Sequence, residues 1–295
     1  MIKKTAMITI SGRPNVGKST LLNALVGEKV SIVTNKPQTT RNRITAVLNR
    51  DETQFVFVDT PGYHLPRTKL GSYMVRVVKD SVAEMDAVIL MVEPIPSIGP
   101  QEQQLIEWIA SSGAPGVLVV NKIDSVKKEA LLDVIRVYSD AFAFDQIIPI
   151  SALTGDGLDD LTALLGKYAQ EGPQLFPDGM ITDQPDKQMV AEIVREKLLL
   201  CLQREIPHGT AVEVTKFSER DSGIIDLDVT IYCEKASHKG MIIGKNGQML
   251  KKIGELARVE IEHFMGTKVF LQTWVKVKER WRDSDMLIRN FGFSE

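Results

Sequence analysis

At 295 residues, with 43% apolar and 25% charged side chains, the chain is long enough for about two ordinary soluble domains. No apolar run approaches the ~18–20 residues needed to cross a bilayer, the opening Met1-Ile-Lys-Lys-Thr5 has no secretory pattern, and Cys201 and Cys233 lack C-x-x-C spacing, so a cytosolic chain with two reduced, buried thiols is expected. The net charge of −2 hides an asymmetry, because residues 235–282 hold 11 Lys/Arg against 4 Asp/Glu, a net +7 that leaves −9 for the rest; this is a localised polyanion-binding face or, on charge alone, a solvated helix face.

In chain order, short apolar runs at Met7–Ile10, Phe55–Val58, Ala87–Val92, Val117–Val120 and Gln146–Ile150 alternate with helical patterns such as Gln101–Ala110 and Lys128–Tyr138. Nearly continuous apolar strands alternating with helices predict a mainly parallel sheet with helices on both faces, an α/β domain over 1–172. Pro173, Pro177, Gly179 and Pro185 punctuate a stretch without periodicity, so 173–185 reads as a linker. A second, α+β domain with a C-terminal tail is expected over 186–295. Met189, Val190, Ile193, Val194, Cys201 and Leu202 share a helix face, Val212 and Val214 suggest a short strand, and Ile225 to Cys233 alternate with period two. A helix-glycine-helix region follows over 239–264, then an alternating strand over 269–275, giving the order α-β-β-α-α-β.

The first strand runs into Gly12-Arg13-Pro14-Asn15-Val16-Gly17-Lys18-Ser19-Thr20, a G-x-x-x-x-G-K-S loop between strand and helix. Its glycines let backbone N–H groups converge on phosphate oxygens, the helix N-terminus adds partial positive charge, Lys18 reaches the β- and γ-phosphates, and the Ser19 hydroxyl ligates Mg²⁺. At the next strand end, Asp59-Thr60-Pro61-Gly62 supplies a carboxylate for the Mg²⁺ shell and a Gly62 N–H for the γ-phosphate. Asn121-Lys122-Ile123-Asp124 ends the fourth predicted strand. Its Asp124 carboxylate can accept both guanine N1–H and N2–H₂, a donor pair that adenine lacks. Asn121 is expected at the base edge, the Lys122 stem over the ring face, and backbone N–H groups of Ser151-Ala152-Leu153 near guanine O6. Between the phosphate loop and Asp59, Pro37-Gln38-Thr39-Thr40-Arg41 offers a mobile threonine to close on Mg²⁺. Either Thr39 or Thr40 can serve, and Thr40 is favoured. Lys18, Thr40 and Gly62 are therefore the expected catalytic set. The residue after Gly62 is Tyr63, a poor general base, followed by His64, so neither a glutamine nor a carboxylate stands beside Gly62 to orient an attacking water. Slow intrinsic turnover is expected.

In the second domain, Gly244-Lys245-Asn246-Gly247 joins two helices. A G-x-x-G turn lets the backbone approach phosphates without a Cβ in the way. With Lys239, Gly240, Ile243, Lys251 and Lys252 it forms the expected RNA-binding set. Trp274 and Trp281 can stack on bases, although Trp274 at a strand position reads more simply as packing. The histidines show no metal-ligand spacing.

The four motifs in order, each at a strand end, resemble the translation-factor-related P-loop GTPases, and 186–295 resembles a type II KH domain. The resemblance implies GTP/GDP with Mg²⁺, and K⁺ near the phosphates through Asn15. The pairing is similar to a family of bacterial ribosome-assembly GTPases. That likeness implies single-stranded 16S rRNA near its 3′ end and the 30S subunit as partners, and no DNA. It also implies a monomeric cytoplasmic protein with some peripheral membrane association. A rival expectation is an RNA chaperone in which GTP is a structural ligand.

Overall fold

The computed structural model describes residues 2–83 and 85–293. The chain divides into two compact units, Met1–Arg67 with Gly71–Asp183 and Thr68–Leu70 with Gln184–Glu295.

The first unit runs β1 (Lys4–Gly12), α1 (Lys18–Val26), β2 (Ile44–Arg50), β3 (Thr53–Asp59), α2 (Lys69–Asp80), β4 (Ala87–Val92), α3 (Pro100–Ser112), β5 (Gly116–Val120), α4 (Lys128–Ala141), β6 (Gln146–Pro149), α5 (Leu158–Leu165) and β7 (Gln170–Glu171). The sheet order is β2-β3-β1-β4-β5-β6, parallel from β3 to β6, with β2 antiparallel on the edge and the two-residue β7 antiparallel to β1. Strand β4 is buried along its whole length because its successive residues serve two cores. Ile89 and Met91 meet Leu21 and Leu22 of α1 and Leu161 and Leu165 of α5. Val88 and Leu90 meet Leu105 and Ile109 of α3 and Tyr138 of α4 on the other face. A strand buried on both faces loses the polar alternation of a half-exposed one, which is why these segments are continuous apolar runs. The carboxyl ends of β1, β3, β4 and β5 lie side by side, where ligands bind in such sheets.

Helix α2 and strand β2 are among the elements absent from the sequence expectation. Helix α2, from Gly71 on in the first unit, buries Met74 and Val78 at i, i+4. Strand β2 is the outer edge, and the expected linker lies along it. The Val47 N–H donates to Ile181 O (2.9 Å) and Thr182 Oγ1 donates to Thr45 O (2.8 Å). The fully buried Gln54 of β3 accepts from the N–H groups of Leu175 (2.8 Å) and Phe176 (2.9 Å) and donates to Phe176 O (2.9 Å). Much of 173–183 is thus a strap that satisfies backbone groups on an otherwise open sheet edge.

The second unit contains α6 (Asp186–Cys201), β8 (Ala211–Glu219), β9 (Ile225–Cys233), α7 (Ala236–Ile243), α8 (Gln248–Met265), β10 (Val269–Val277) and α9 (Asp285–Asn290). Its sheet order is β10-β9-β8, with β9 parallel to β10 and antiparallel to β8. Leu227, Val229 and Ile231 of β9 pack with Val190 and Val194 of α6 and with Ile253, Ala257 and Ile261 of α8. Both fold classes and the α-β-β-α-α-β order match the expectation.

Three packing expectations need correction. Trp274 is on the face of β10 turned away from this core and is 54% exposed. Trp281, expected as a possible stacking surface, is fully buried and donates its indole N–H to Gly209 O (2.9 Å). Phe291 of the tail lies edge-on to Trp281 (5.3 Å between centroids) and against Tyr232 (4.7 Å), so the tail closes its own unit. Cys233 is buried, but Cys201, near the end of α6, is only half-buried. Among the described residues no helix is long and apolar enough to cross a membrane.

Candidate nucleotide and RNA-binding sites

A cavity of about 500 Å³ opens at the carboxyl end of the sheet, lined by Lys18, Ser19, Thr40, Gly62, Lys122 and Asp124 among others. Strand β1 stops at Gly12, and the chain turns through Asn15 (φ 67°) and Gly17 (φ 104°) into α1. A Cβ on Gly17 would sit 2.3 Å from Asn121 Nδ2, so glycine is required both by the backbone and by the close approach of the guanine motif. Gly62 is pressed as tightly on the loop from the other side: a Cβ there would lie 2.6 Å from Pro14 N. The phosphate loop is thus in contact with both the Asp59–Gly62 motif and the Asn121–Asp124 motif.

Lys18 is buried at the first position of α1 and donates to the carbonyls of Arg13 (2.9 Å) and Gly12 (3.2 Å). Burial pushes its amine down to about 8, because desolvation disfavours the charged form, while nearby Asp59 pulls it back up. Asp59 is itself pushed up from the usual carboxylate range by burial, with Lys18 and hydroxyl donors opposing.

Ser19, Thr40 and Asp59 converge. Ser19 Oγ donates to Asp59 Oδ2 (2.7 Å), and Thr40 Oγ1 lies 2.9 Å from Ser19 Oγ and 3.4 Å from Asp59 Oδ2. Asp59 Oδ1 is buried with no hydrogen-bond partner among the described residues. Two hydroxyls and an under-satisfied carboxylate form a hard-oxygen donor set that suits Mg²⁺, which takes few protein ligands beside phosphate and water. Thr39 is turned elsewhere, donating to Lys36 O (2.7 Å). Ser31, also buried, has its hydroxyl 3.4 Å from Asp59 Oδ2, a neighbour that no motif signalled.

At the base end, Asn121 Nδ2 donates to Val16 O (2.8 Å) and its Oδ1 accepts from Ala152 N–H (2.9 Å). One amide therefore ties the phosphate loop to the Ser151–Leu153 loop. Ser151 Oγ donates to Asp124 Oδ1 (2.6 Å), which orients the carboxylate. The N–H of Ser151 donates to Asp156 O (2.9 Å). Any bond from the Ser151 or Ala152 N–H groups to guanine O6 is therefore shared with bonds inside the protein. Asn15 is exposed and donates from Nδ2 to Asn35 O (3.0 Å), between the phosphate loop and the Thr40 loop.

Several expected contacts can be made only by backbone. Val16 packs in the core, and Thr60 is buried with its hydroxyl donating to Ile10 O (3.0 Å). The Arg13 side chain does not line the cavity; it pairs with Glu102 of α3. Tyr63 is 7% exposed and packs edge-on to Trp108 (5.0 Å), so its hydroxyl-bearing ring belongs to the core beside α3 and not to the attacking water. His64 instead bridges the two loops. Gln38 Nε2 can only donate, so His64 Nε2 accepts (3.1 Å) and its Nδ1–H donates to Gly62 O (3.2 Å).

In the second unit, Gly244 (φ 74°), Asn246 (φ 51°) and Gly247 (φ 77°) reverse the chain between α7 and α8. Lys245 and Asn246 at the tip are exposed, as are Gly240, Lys251 and Lys252, while Lys239, Ile243, Gly244 and Gly247 are half-buried. Ile243 packs on the core and anchors the turn. Met241, 51% exposed just before it, adds apolar surface that the expectation omitted.

Fold and sites define the class: a P-loop GTPase joined to a type II KH domain. The model of the 50S ribosome-binding GTPase family matches residues 7–122, and that of the KH domain matches residues 205–282. The chain is 50% identical to the GTPase Era of Ruminiclostridium cellulolyticum over 293 residues, covering 99% of this chain and 98% of that protein. It is 49% identical to the Clostridioides difficile GTPase Era over 294 residues, 99% of each. A single-site variant of Aquifex aeolicus Era bound to GDP·AlF₄⁻ superposes with a TM-score of 0.95 at 38% identity, over 99% of this chain and all of that one. Era in complex with MgGDPNP and nucleotides 1506–1542 of 16S ribosomal RNA superposes at 0.96, also at 38% identity, over the whole of both chains. The chain belongs to the GTPase Era family.

Proposed function

We propose that this GTPase reads single-stranded RNA near the 3′ end of 16S rRNA through Gly244–Gly247 and its lysines, and serves assembly of the 30S subunit in the cytoplasm. The state of its nucleotide is coupled to RNA binding. The observation that carries the switch is the convergence of Thr40 and Ser19 on Asp59. A loop residue joins the cation site there, so losing the γ-phosphate releases the loop. Support for the RNA comes from the Era relative bound to 16S nucleotides 1506–1542. Ser19, Asp59 and Thr40 would hold Mg²⁺, which would supply positive charge to offset the phosphoryl oxygens. Lys18 and the loop N–H groups hold the β- and γ-phosphates, Asp124 and Asn121 hold guanine, and the Gly62 N–H faces the γ-phosphate. Asn15, whose Nδ2 is already used on Asn35 O, would offer its side-chain oxygen to a monovalent cation, K⁺, whose charge would offset that of the phosphates. With Tyr63 turned into the core and no glutamine beside Gly62, turnover without a partner is slow.

A 16S 3′-terminal oligonucleotide and a scrambled one of equal length, titrated into the full chain, test the RNA assignment. The genuine sequence should bind tighter by at least about tenfold, and Lys245→Glu should weaken it by about tenfold through lost phosphate contacts. Equal affinity for both sequences, with no effect of Lys245→Glu, overturns the assignment.

A further inference from the structure

Three neighbouring parallel strands deliver three charged residues to one spot. Gly12 of β1 is paired with Met91 of β4, and Val92 of β4 with Val120 of β5. The residues just beyond these ends are Arg13, Glu93 and, two past β5, Lys122. Glu93 stands between the two cations. Its Oε1 lies 2.5 Å from Lys122 Nζ, and its Oε2 lies 4.0 Å from Arg13 Nη2. Arg13 is fixed from behind by the 1%-exposed carboxylate of Glu102, whose other oxygen accepts the Gly99 N–H at the start of α3 (3.0 Å). Lys122 Nζ also donates to Asn15 O (2.7 Å), and its backbone is left-handed (φ 64°). The result is a row of alternating charges, Glu102–Arg13–Glu93–Lys122, running from α3 past the phosphate loop to the guanine motif.

The Lys122 stem is the part that matters to a ligand. A free lysine holds four flexible bonds, and freezing them against a purine ring opposes binding. Here both hydrogen-bond acceptors that freeze the ammonium, Glu93 Oε1 and Asn15 O, are supplied by the protein before any base arrives. A half-exposed ion pair adds little to folding stability, so its consequence should be found in ligand affinity. Neither Glu93 nor Glu102 lies in any of the four motifs.

We infer that Glu93 is a positioning residue for guanine nucleotides: held by Arg13 of the phosphate loop, it presets the Lys122 stem over the base, so that the loop gripping the phosphates also braces the wall of the base pocket. This rests on the guanine-binding reading of the Asn121–Asp124 motif, in which the Lys122 stem covers the ring face.

The test is a double-mutant cycle on the full chain with GDP as the probe, read by equilibrium titration and by dissociation rate. Glu93→Gln should weaken GDP five- to tenfold, mostly through faster dissociation, and raise KM for GTP while kcat falls less than twofold. In the Lys122→Met background, Glu93→Gln should change GDP affinity by less than 1.5-fold. A merely structural role for Glu93 would produce the same loss in both backgrounds, and that result overturns the inference. So does an unchanged affinity in Glu93→Gln when Lys122→Met alone weakens GDP. If Lys122→Met itself leaves GDP affinity unchanged, the role of Lys122 fails and the inference falls with it, a pattern distinct from the other two.

Discussion

Asp124→Asn is expected to weaken GTP and GDP by two to three orders of magnitude and to raise affinity for xanthosine nucleotides. A carboxylate accepts from both N1–H and N2–H₂ of guanine, and each charge-assisted bond is worth about 1.5–3 kcal/mol. The amide replaces one acceptor with an NH₂ group that faces a donor, leaving both unpaired. Xanthine carries an oxygen where guanine carries N2, so the same amide then matches it. Ser151 makes the orientation definite. Its hydroxyl donates to Oδ1 (2.6 Å) and would select the amide oxygen for that position, putting the NH₂ at the other. Titration of the variant with GDP and XDP is the check. Parallel loss of both nucleotides would mean that Asp124 holds the loop and does not read the base.

Lys18→Ala is expected to lower GTP affinity by at least about 100-fold and to abolish measurable turnover, since it removes a charge-assisted donor from two phosphates at once. The ammonium is already oriented, because it donates to two loop carbonyls. Its burial adds a pH signature. A polyanion needs the protonated amine, and burial has lowered that amine to about 8. Below that pH the free protein presents the charge, and affinity is at its plateau. As pH rises through about 8 and beyond, binding must take up a proton, and affinity falls by up to about tenfold per pH unit. Calorimetry of GDP binding at pH 8.5 in buffers of different ionisation enthalpy should show that proton uptake. The uptake should be absent in Lys18→Ala.

Much of this site was readable because its parts obey local rules. Glycine spacing, a lysine and a hydroxyl at a helix start, and carboxylates at strand ends are short-range patterns, and β4 and β5 are continuous apolar runs because both of their faces are buried. The features that were not readable depend on partners far along the chain. Gln54 secures the strap through Leu175 and Phe176, more than 120 residues away, so within 173–185 nothing local distinguishes a strap from a linker. Arg13 carries the name of a phosphate-binding residue, yet Glu102 draws its side chain aside. Tyr63 enters the core because Trp108 of α3 offers it a ring edge, and nothing near Tyr63 in sequence announces that. Trp274 has the strand periodicity of a core residue but the opposite parity: Val269 and Val275 face the helices, so even-numbered positions of β10 face out. Helix α2 is legible in principle from Met74 and Val78 and is obscured by the polar residues around them.

The coupling of nucleotide state to RNA reading is the central claim, and it is reciprocal by thermodynamic necessity. The most direct measurement is the affinity of the full chain for the 16S 3′-terminal oligonucleotide, with Mg²⁺ and either GDP or a non-hydrolysable GTP analogue at saturation. Closure of Thr40 on the cation site predicts at least about fivefold tighter RNA binding with the analogue, within the usual range of allosteric couplings, and a loss of that difference in Thr40→Ala. Equal RNA affinity in the two nucleotide states would contradict the account and leave GTP as a structural ligand of an RNA-binding protein.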